Sequence, residues 1–202
     1  MNKWQYLTPG IPDSYFIRGK VPMTKEEVRA IVMGKLRLKE DSVLVDVGAG
    51  TGSVSIEAAL MTTGGMVYGI EHNEEALKLQ AENKKAFGVE NFEILQGRAK
   101  EVIKTIPLYD RVFIGGSGGE LKEILHEVNN RLPAGGRVVI TAVTIETSAR
   151  ALEELKNNTF EDIEVIAVSI SRGRNTGKYT LMEAQNTINI ISASKGGIVN
   201  EG

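Results

Sequence analysis

Along this chain the spacing of apolar residues switches repeatedly between consecutive runs and a recurrence every three or four positions, and each switch marks a change of element. The segment TKEEVRAIVMGKLRL opens on Thr24 with Glu27 three positions later, the arrangement of a capping box, then sets Val28, Ile31, Val32 and Leu36 on one helical face. SVLVDVG, residues 42–48, is short, β-branched and apolar without alternation, which suits a strand covered on both faces. SVSIEAALM after it is built of helix formers. The alternation then repeats. MVYGIE predicts a strand, NEEALKLQAENKKAF a helix ended by Gly88, NFEILQG a strand, and AKEVIKTI a short helix stopped by Pro107. DRVFIGG reads as strand, GELKEILHEVNNRL as a helix with Leu121, Ile124, Leu125 and Val128 inward, RVVITAV as strand, and IETSARALEELKN as helix. Strand–helix units in series require a parallel sheet with right-handed crossovers, a doubly wound, Rossmann-like α/β fold.

Beyond Asn158 the helical period disappears. Residues 162–171 and 186–194 (DIEVIAVSIS and NTINIISAS) are both strand-like and are expected to close the sheet as an antiparallel hairpin at its C-terminal edge, making seven strands, mostly parallel. The stretch between them, RGRNTGKYTLMEAQ, mixes glycine with Arg172, Arg174 and Lys178 and reads as a loop or a mobile extension of that hairpin. KGGIVNEG at the end reads as disordered.

Composition narrows the partners. A chain of 202 residues, 42% hydrophobic and 25% charged, is expected to form one domain over residues 1–202, with segments 1–23 and 195–202 peripheral. No apolar run approaches the ~20 residues of a membrane-crossing helix. MNKWQYLTPGIPDSYF lacks the charged-then-apolar order of an export signal, so a cytoplasmic protein without a membrane partner is expected. The absence of cysteine excludes disulfides, thiolate metal sites and a cysteine nucleophile, while His72 and His126 lack paired acids, so no metal site is expected. A net charge of −2 supplies no global basic field, and no nucleic-acid partner is expected.

The candidate chemistry begins where the first strand meets its helix. There Gly48-Ala49-Gly50-Thr51-Gly52-Ser53 sets three glycines at alternate positions. In a doubly wound sheet the ligand sits beyond the carboxyl ends of the strands, so missing side chains at this turn make room for it. A dinucleotide fingerprint would carry glycine at position 53, where serine stands, and the spacing favours S-adenosylmethionine over NAD. Glu71 ends the second strand, where a carboxylate can accept both ribose hydroxyls of an adenosine, and Gly97 and Ala99 stand where small residues would flank adenine. The fourth strand runs into Gly115-Gly116-Ser117-Gly118-Gly119, an open wall lacking the Asp/Asn-Pro-Pro-aromatic motif of base-modifying methyltransferases.

The motifs GIPDSYFIRGKVPMTKEEVRA, DVGAGTGSVSIEAA, FIGGSGGELKEIL and LPAGGRVVITAVTIET together resemble the decarboxylating cobalt-precorrin-6B methyltransferase family of the anaerobic cobalamin (vitamin B12) pathway. The resemblance runs from about residue 11 to residue 186 and implies a class I S-adenosylmethionine-dependent methyltransferase. It also implies methylation at carbon 15 of the macrocycle, loss of CO₂ from the acetate on carbon 12, and a homotetramer. Carried over residue by residue, it places cofactor contacts on Thr24, Gly48, Ala49, Gly50, Thr51, Gly52, Glu71 and Ala99. The Asn-Pro that the family often shows before the last strand is absent from AQNTINII.

Such a substrate, a cobalt-containing tetrapyrrole, is a broad polyanion. Gly116, Ser117 and Gly118 are expected to face it, and Arg172 and Arg174, ahead of Arg18, Lys20, Lys25 and Lys178, to clamp its carboxylates. Tyr15 and Phe16 are either stacking partners of the macrocycle or packing anchors. In-line methyl transfer requires no dedicated nucleophile, and no residue presents itself as a general acid or base. Two other readings share the glycine loop: another class I methyltransferase, for instance one acting on tRNA adenine, and a non-catalytic adenosine- or dinucleotide-binding module.

Overall fold

The computed structural model describes residues 4–197. Five parallel strands, β1 (Val43–Val47), β2 (Met66–Glu71), β3 (Phe92–Gln96), β4 (Arg111–Ile114) and β5 (Arg137–Ala142), form most of one sheet, completed by β6 (Phe160–Val168) and β9 (Ile188–Lys195). The order is β3-β2-β1-β4-β5-β9-β6, with β9 antiparallel to both of its neighbours. Successive strands are added outward from β1 on one side through β2 to β3 and on the other through β4 to β5, so the switch point lies between β1 and β4, which pair in register at Val47 and Ile114.

Both faces are covered, as the unbroken apolar runs predict. Because side chains alternate across a strand, Leu44, Val67, Phe92, Phe113 and Val139 pack on one face against α1 (Glu26–Leu36), α2 (Ser53–Met61) and α3 (Glu74–Phe87). Val45, Val47, Ile70, Val112, Ile114 and Ile140 pack on the other, with the short α4 (Ala99–Val102), α5 (Leu121–Arg131) and α6 (Ile145–Lys156). Leu121, Ile124, Leu125 and Val128 of α5 are buried as their spacing requires. Gly88 takes the left-handed conformation that ends α3, and Asn73 begins it by accepting the Ala76 N–H at 3.0 Å.

One reading is resolved and another corrected. The segment between β6 and β9 is not a loop but an extension of their hairpin, the other reading given for it: β7 (Ser171–Thr176) and β8 (Tyr179–Ala184) form a separate antiparallel ladder turning at Gly177 and Lys178. Its side chains are nearly all exposed, so no apolar alternation marks it, and Arg174–Glu183 and Asn175–Thr180 contacts support the ladder instead. Nor does Thr24 cap α1. The helix begins one residue later than a capping box would require, with Lys25 at the N-cap position and no side-chain cap of its own. Asp13, from the N-terminal segment, accepts the Glu26 N–H at 3.0 Å in its place. The expected disorder of the tail falls mainly on residues 198–202, outside the described residues.

Asp13 also belongs to the charge cluster that fixes the N-terminal segment. Arg29 is fully buried in α1; its Nε donates to Glu57 of α2 at 2.8 Å and its Nη1 to Asp13 at 3.2 Å and to the Thr24 carbonyl at 2.5 Å. Its Nη2 donates to the Ile11 carbonyl. Glu57 in turn accepts the Gly10 and Ile11 N–H groups at 3.2 and 2.8 Å. Phe16 packs beneath, stacked on Phe87 with ring centroids 4.9 Å apart, and the Arg29 guanidinium lies 4.8 Å from the Phe16 ring. Phe16 is therefore a packing anchor. Removing one partner of a buried ion cluster strands the others, so Arg29→Ala is expected to cost about 3–5 kcal/mol of unfolding free energy in urea titration. A loss under about 1 kcal/mol would contradict the role given to this cluster.

Candidate functional site

Three turns meet at the carboxyl edge of the sheet. After β1 the chain enters the glycine turn, where Gly48, Gly50 and Gly52 all have positive φ (72°, 55° and 78°). The Gly48 and Ala49 N–H groups donate to the Ile70 carbonyl at 3.0 and 3.1 Å, which binds the turn to β2. Each glycine faces protein at close range. A Cβ at Gly48 would lie 2.4 Å from the Gly116 carbonyl oxygen, one at Gly50 would lie 3.0 Å from the Pro22 carbonyl, and one at Gly52 would lie 3.1 Å from Gln80. The glycines thus let three segments close on the turn, which modifies the expectation that their missing side chains leave room for a ligand.

Glu71, at the end of β2, completes the turn. One carboxylate oxygen accepts the Gly50 N–H at 3.0 Å, and the other accepts the His72 and Asn73 N–H groups at 2.8 and 3.0 Å. These bonds orient an almost buried carboxylate at the wall of a cavity of about 980 Å³. The same cavity is lined by Gly48, Ala49, Gly50, Ser53, Gly97 and Ala99 on one side and by Gly115, Gly116, Ser117 and Gly118 on the other. Thr24 lines it too, from the segment that crosses above the glycine turn. Thr51 is fully buried, and Thr51 and Gly52 stand behind the turn, outside the lining.

The expected clamp residues lie elsewhere. Arg172 donates from Nε and Nη2 to Glu27 at 2.9 and 2.6 Å, and Arg174 pairs with Glu183 across the hairpin; neither lines the cavity. The cations that do line it are Lys20, Lys25 and Arg98. Arg98 and Lys100 both pair with Glu120, whose carboxyl Arg98 holds below its ordinary range, with Lys100 adding to the effect. Thr141, Val143, Ile170, Gln185, Asn186 and Ile188 also line the cavity. Gln185 and Asn186, from the β8–β9 connection, carry no site role in the sequence reading, where AQNTINII is marked only by the Asn-Pro it lacks. His72 is exposed beside Glu71, and His126 contacts Asn130 on α5. Among the described residues no group of three or more His, Asp or Glu could hold a metal ion. No helix among them is long and apolar enough to cross a membrane.

Asp46 carries no motif of its own in the sequence. It interrupts the apolar run of β1, is fully buried, and reaches the cavity floor with Oδ1 unpartnered, while Oδ2 accepts the Ser55 hydroxyl at 2.5 Å. Burial pushes its carboxyl up to about 7, with the neighbouring charge of Glu71 adding to the rise and the Ser55 hydrogen bond opposing it. An unpaired buried carboxyl beside a second carboxylate suits a cationic ligand.

The order β3-β2-β1-β4-β5-β9-β6, with the glycine turn after β1 and an acid closing β2, defines the class I S-adenosylmethionine-dependent methyltransferase fold. It is shared with an S-adenosylmethionine-dependent O-methyltransferase from Thermotoga maritima at 20% identity, TM-score 0.74, over 89% of this chain and 68% of that one. Within that class the chain belongs to the precorrin methyltransferase family, whose domain model matches residues 15–195. A relative from Pyrobaculum calidifontis, named a probable cobalt-precorrin-6B C(15)-methyltransferase (decarboxylating), is 46% identical over 94% of this chain and 98% of its own length. The crystal structure of a precorrin-6Y C5,15-methyltransferase from Geobacter metallireducens superposes with TM-score 0.89 at 39% identity, over 94% of this chain and all of that one.

Because Asp46 holds its proton more tightly folded than unfolded, where 3.8 is its ordinary value, its contribution to stability is fully present below about pH 4 and is lost as pH rises through about 7. Asp46→Asn is therefore expected to remove that loss: in urea titrations the variant gains about 1–4 kcal/mol on the parent at about pH 8 relative to about pH 4. Parallel stability curves for the two proteins would show that Asp46 is not a strained acid.

Proposed function

We propose that this protein is the S-adenosylmethionine-dependent methyltransferase that methylates carbon 15 of cobalt-precorrin-6B and removes CO₂ from the acetate on carbon 12. The observation that carries the reading is the cavity of about 980 Å³ between two glycine turns, with an acid at one end and side-chain-free backbone at the other. The name of the Pyrobaculum calidifontis relative supports the choice of substrate.

In this reading Glu71 accepts the ribose hydroxyls, Gly97 and Ala99 leave space for the adenine, and Asp46 faces the positively charged amino acid portion of the cofactor. Gly48 to Gly50 present backbone to it, with Thr24 above. When bound, S-adenosylmethionine supplies an electrophilic methyl group on a sulfonium. The chain's task is then to hold the macrocycle's carbon in line with that methyl, an orientation effect that needs no nucleophilic side chain. Gly116, Ser117 and Gly118 give a flat macrocycle edge access, since a Cβ at Gly116 or Gly118 would meet nothing within 4 Å. Loss of CO₂ breaks the bond between the acetate methylene and its carboxyl carbon, and the electron pair enters the conjugated ring, so the substrate is its own electron sink. Lys20, Lys25 and Arg98 receive the remaining carboxylates, a role the sequence assigned first to Arg172 and Arg174. Val143, Ile170 and Ile188 give the rest of the lining an apolar part beside the polar Thr141, Gln185 and Asn186.

Incubation of the purified protein with cobalt-precorrin-6B and S-adenosylmethionine should yield, by mass spectrometry, a product with one methyl gained and one CO₂ lost. Unreacted macrocycle under conditions where the cofactor binds would overturn the substrate assignment. Glu71→Ala should weaken S-adenosylhomocysteine binding by about 10- to 150-fold in calorimetry, the range for hydrogen bonds to a charged group.

A further inference from the structure

Arg172 was expected to meet the substrate, yet its guanidinium is already taken, and what takes it is informative. It forms a bidentate pair with Glu27 at 2.9 and 2.6 Å, and its Nη2 lies 3.7 Å from Asp13 and 3.9 Å from Glu26. Asp13 and Glu27 belong to the N-terminal segment and the first turn of α1, and Arg172 belongs to β7. Glu27 is held below its ordinary range chiefly by Arg172, so the pair is fully ionised at neutral pH.

Both ends of this pair adjoin the cavity. Lys20, Val21, Pro22, Met23, Thr24 and Lys25 form one wall, and Glu27 follows two positions after Lys25. Ile170, Gln185, Asn186 and Ile188 form a second part of the lining, and Arg172 follows two positions after Ile170. Gln185 donates its N–H to the Ile170 carbonyl at 2.8 Å, which joins the β6–β7 and β8–β9 connections. The first wall is fixed at its near end by the buried Arg29 cluster, since Arg29 holds the Thr24 carbonyl, and further back by Lys20 N–H donating to Glu75 at 3.1 Å. The second wall is the root of a hairpin whose side chains are nearly all exposed and so contribute little packing of their own.

We infer that Arg172 is a positioning residue: paired with Glu27 and steadied by Asp13, it locks the hairpin root against the strap over residues 20–25 and so sets the width of the mouth through which the macrocycle enters. The inference rests on the proposed function for its substrate, and on geometry alone for the lock. It differs from a direct clamp in what it demands of Glu27. If Arg172 gripped a substrate carboxylate, freeing it from Glu27 would strengthen or spare substrate binding. If the pair is a lock, losing either member loosens the same mouth.

The test is a double-mutant cycle of Arg172→Gln, Glu27→Gln and both together, with Arg172→Lys as the conservative variant. Each single change is expected to raise KM for the macrocycle by about tenfold, the double to add little to either, and Arg172→Lys to restore part of the loss. Hydrogen exchange, which needs no substrate, should show faster exchange together at residues 20–25 and 168–171 in both single variants, with α2 and α5 unchanged. Glu27→Gln with an unchanged or lower KM, or exchange unaltered at either wall, would overturn the lock. Should Arg172→Gln not fold, Glu27→Gln, which keeps the size of a half-buried side chain, carries both readouts alone. An inactive parent protein would count against the proposed substrate, while the exchange result would still decide the lock.

Discussion

Everything at the carboxyl edge of this sheet depends on two stretches of main chain passing at contact distance. Where β1 and β4 end side by side, Gly48 turns away with φ 72°, and a methyl group on its α-carbon would sit 2.4 Å from the Gly116 carbonyl oxygen and 2.9 Å from the Gly116 nitrogen and α-carbon. No real Cβ occupies such a position. The turn can therefore fold back far enough to bond β2 through Ile70, and to offer the Gly50 N–H to Glu71, only with hydrogen at position 48. The cavity is what remains between these backbone walls.

A second layer of constraint is electrostatic and lies behind the first. The strap over the glycine turn, Lys20 to Lys25, contains a proline and no helix or strand, and it is held by anchors at its ends. Arg29, buried with Asp13 and Glu57, ties residues 10–13 and the Thr24 carbonyl to α1 and α2. Asn83 of α3, also fully buried, receives the Ile17 N–H at 2.7 Å and donates to the Ile17 and Thr51 carbonyls at 3.0 Å. One side chain thus holds the N-terminal segment and the glycine turn together. A buried network that is satisfied on most sides specifies one arrangement of the segments it joins.

How much of this was legible in the sequence follows from the range of the interactions. The strand–helix units were legible because each depends on local periodicity, and the glycine turn and Glu71 because a short loop and the next strand end must meet in a doubly wound sheet. The cap of α1 was not, since the group that fills it, Asp13, lies thirteen residues before Glu26 and only the folded chain brings the two together. The β7–β8 ladder stayed undecided between loop and hairpin extension, because a ribbon exposed on both faces carries no alternation to read. Asp46 was hidden for the opposite reason: a polar residue inside an apolar run marks burial, and what that burial does to its charge depends on Ser55 and Glu71. The glycines were visible, but their reason was not, because Pro22, Gln80 and Gly116 are distant in sequence.

The claim at the centre, that backbone contact between the β1 and β4 turns builds the cofactor half of the cavity, can be tested with two substitutions at touching positions. Gly48→Ala puts a methyl group into main chain at a left-handed position, whereas Gly116→Ala puts one into open space. Calorimetric titration with S-adenosylhomocysteine should show binding weakened by about ten- to a hundredfold or more in Gly48→Ala and within about threefold of the parent in Gly116→Ala. Equal affinity in Gly48→Ala and the parent would contradict the account.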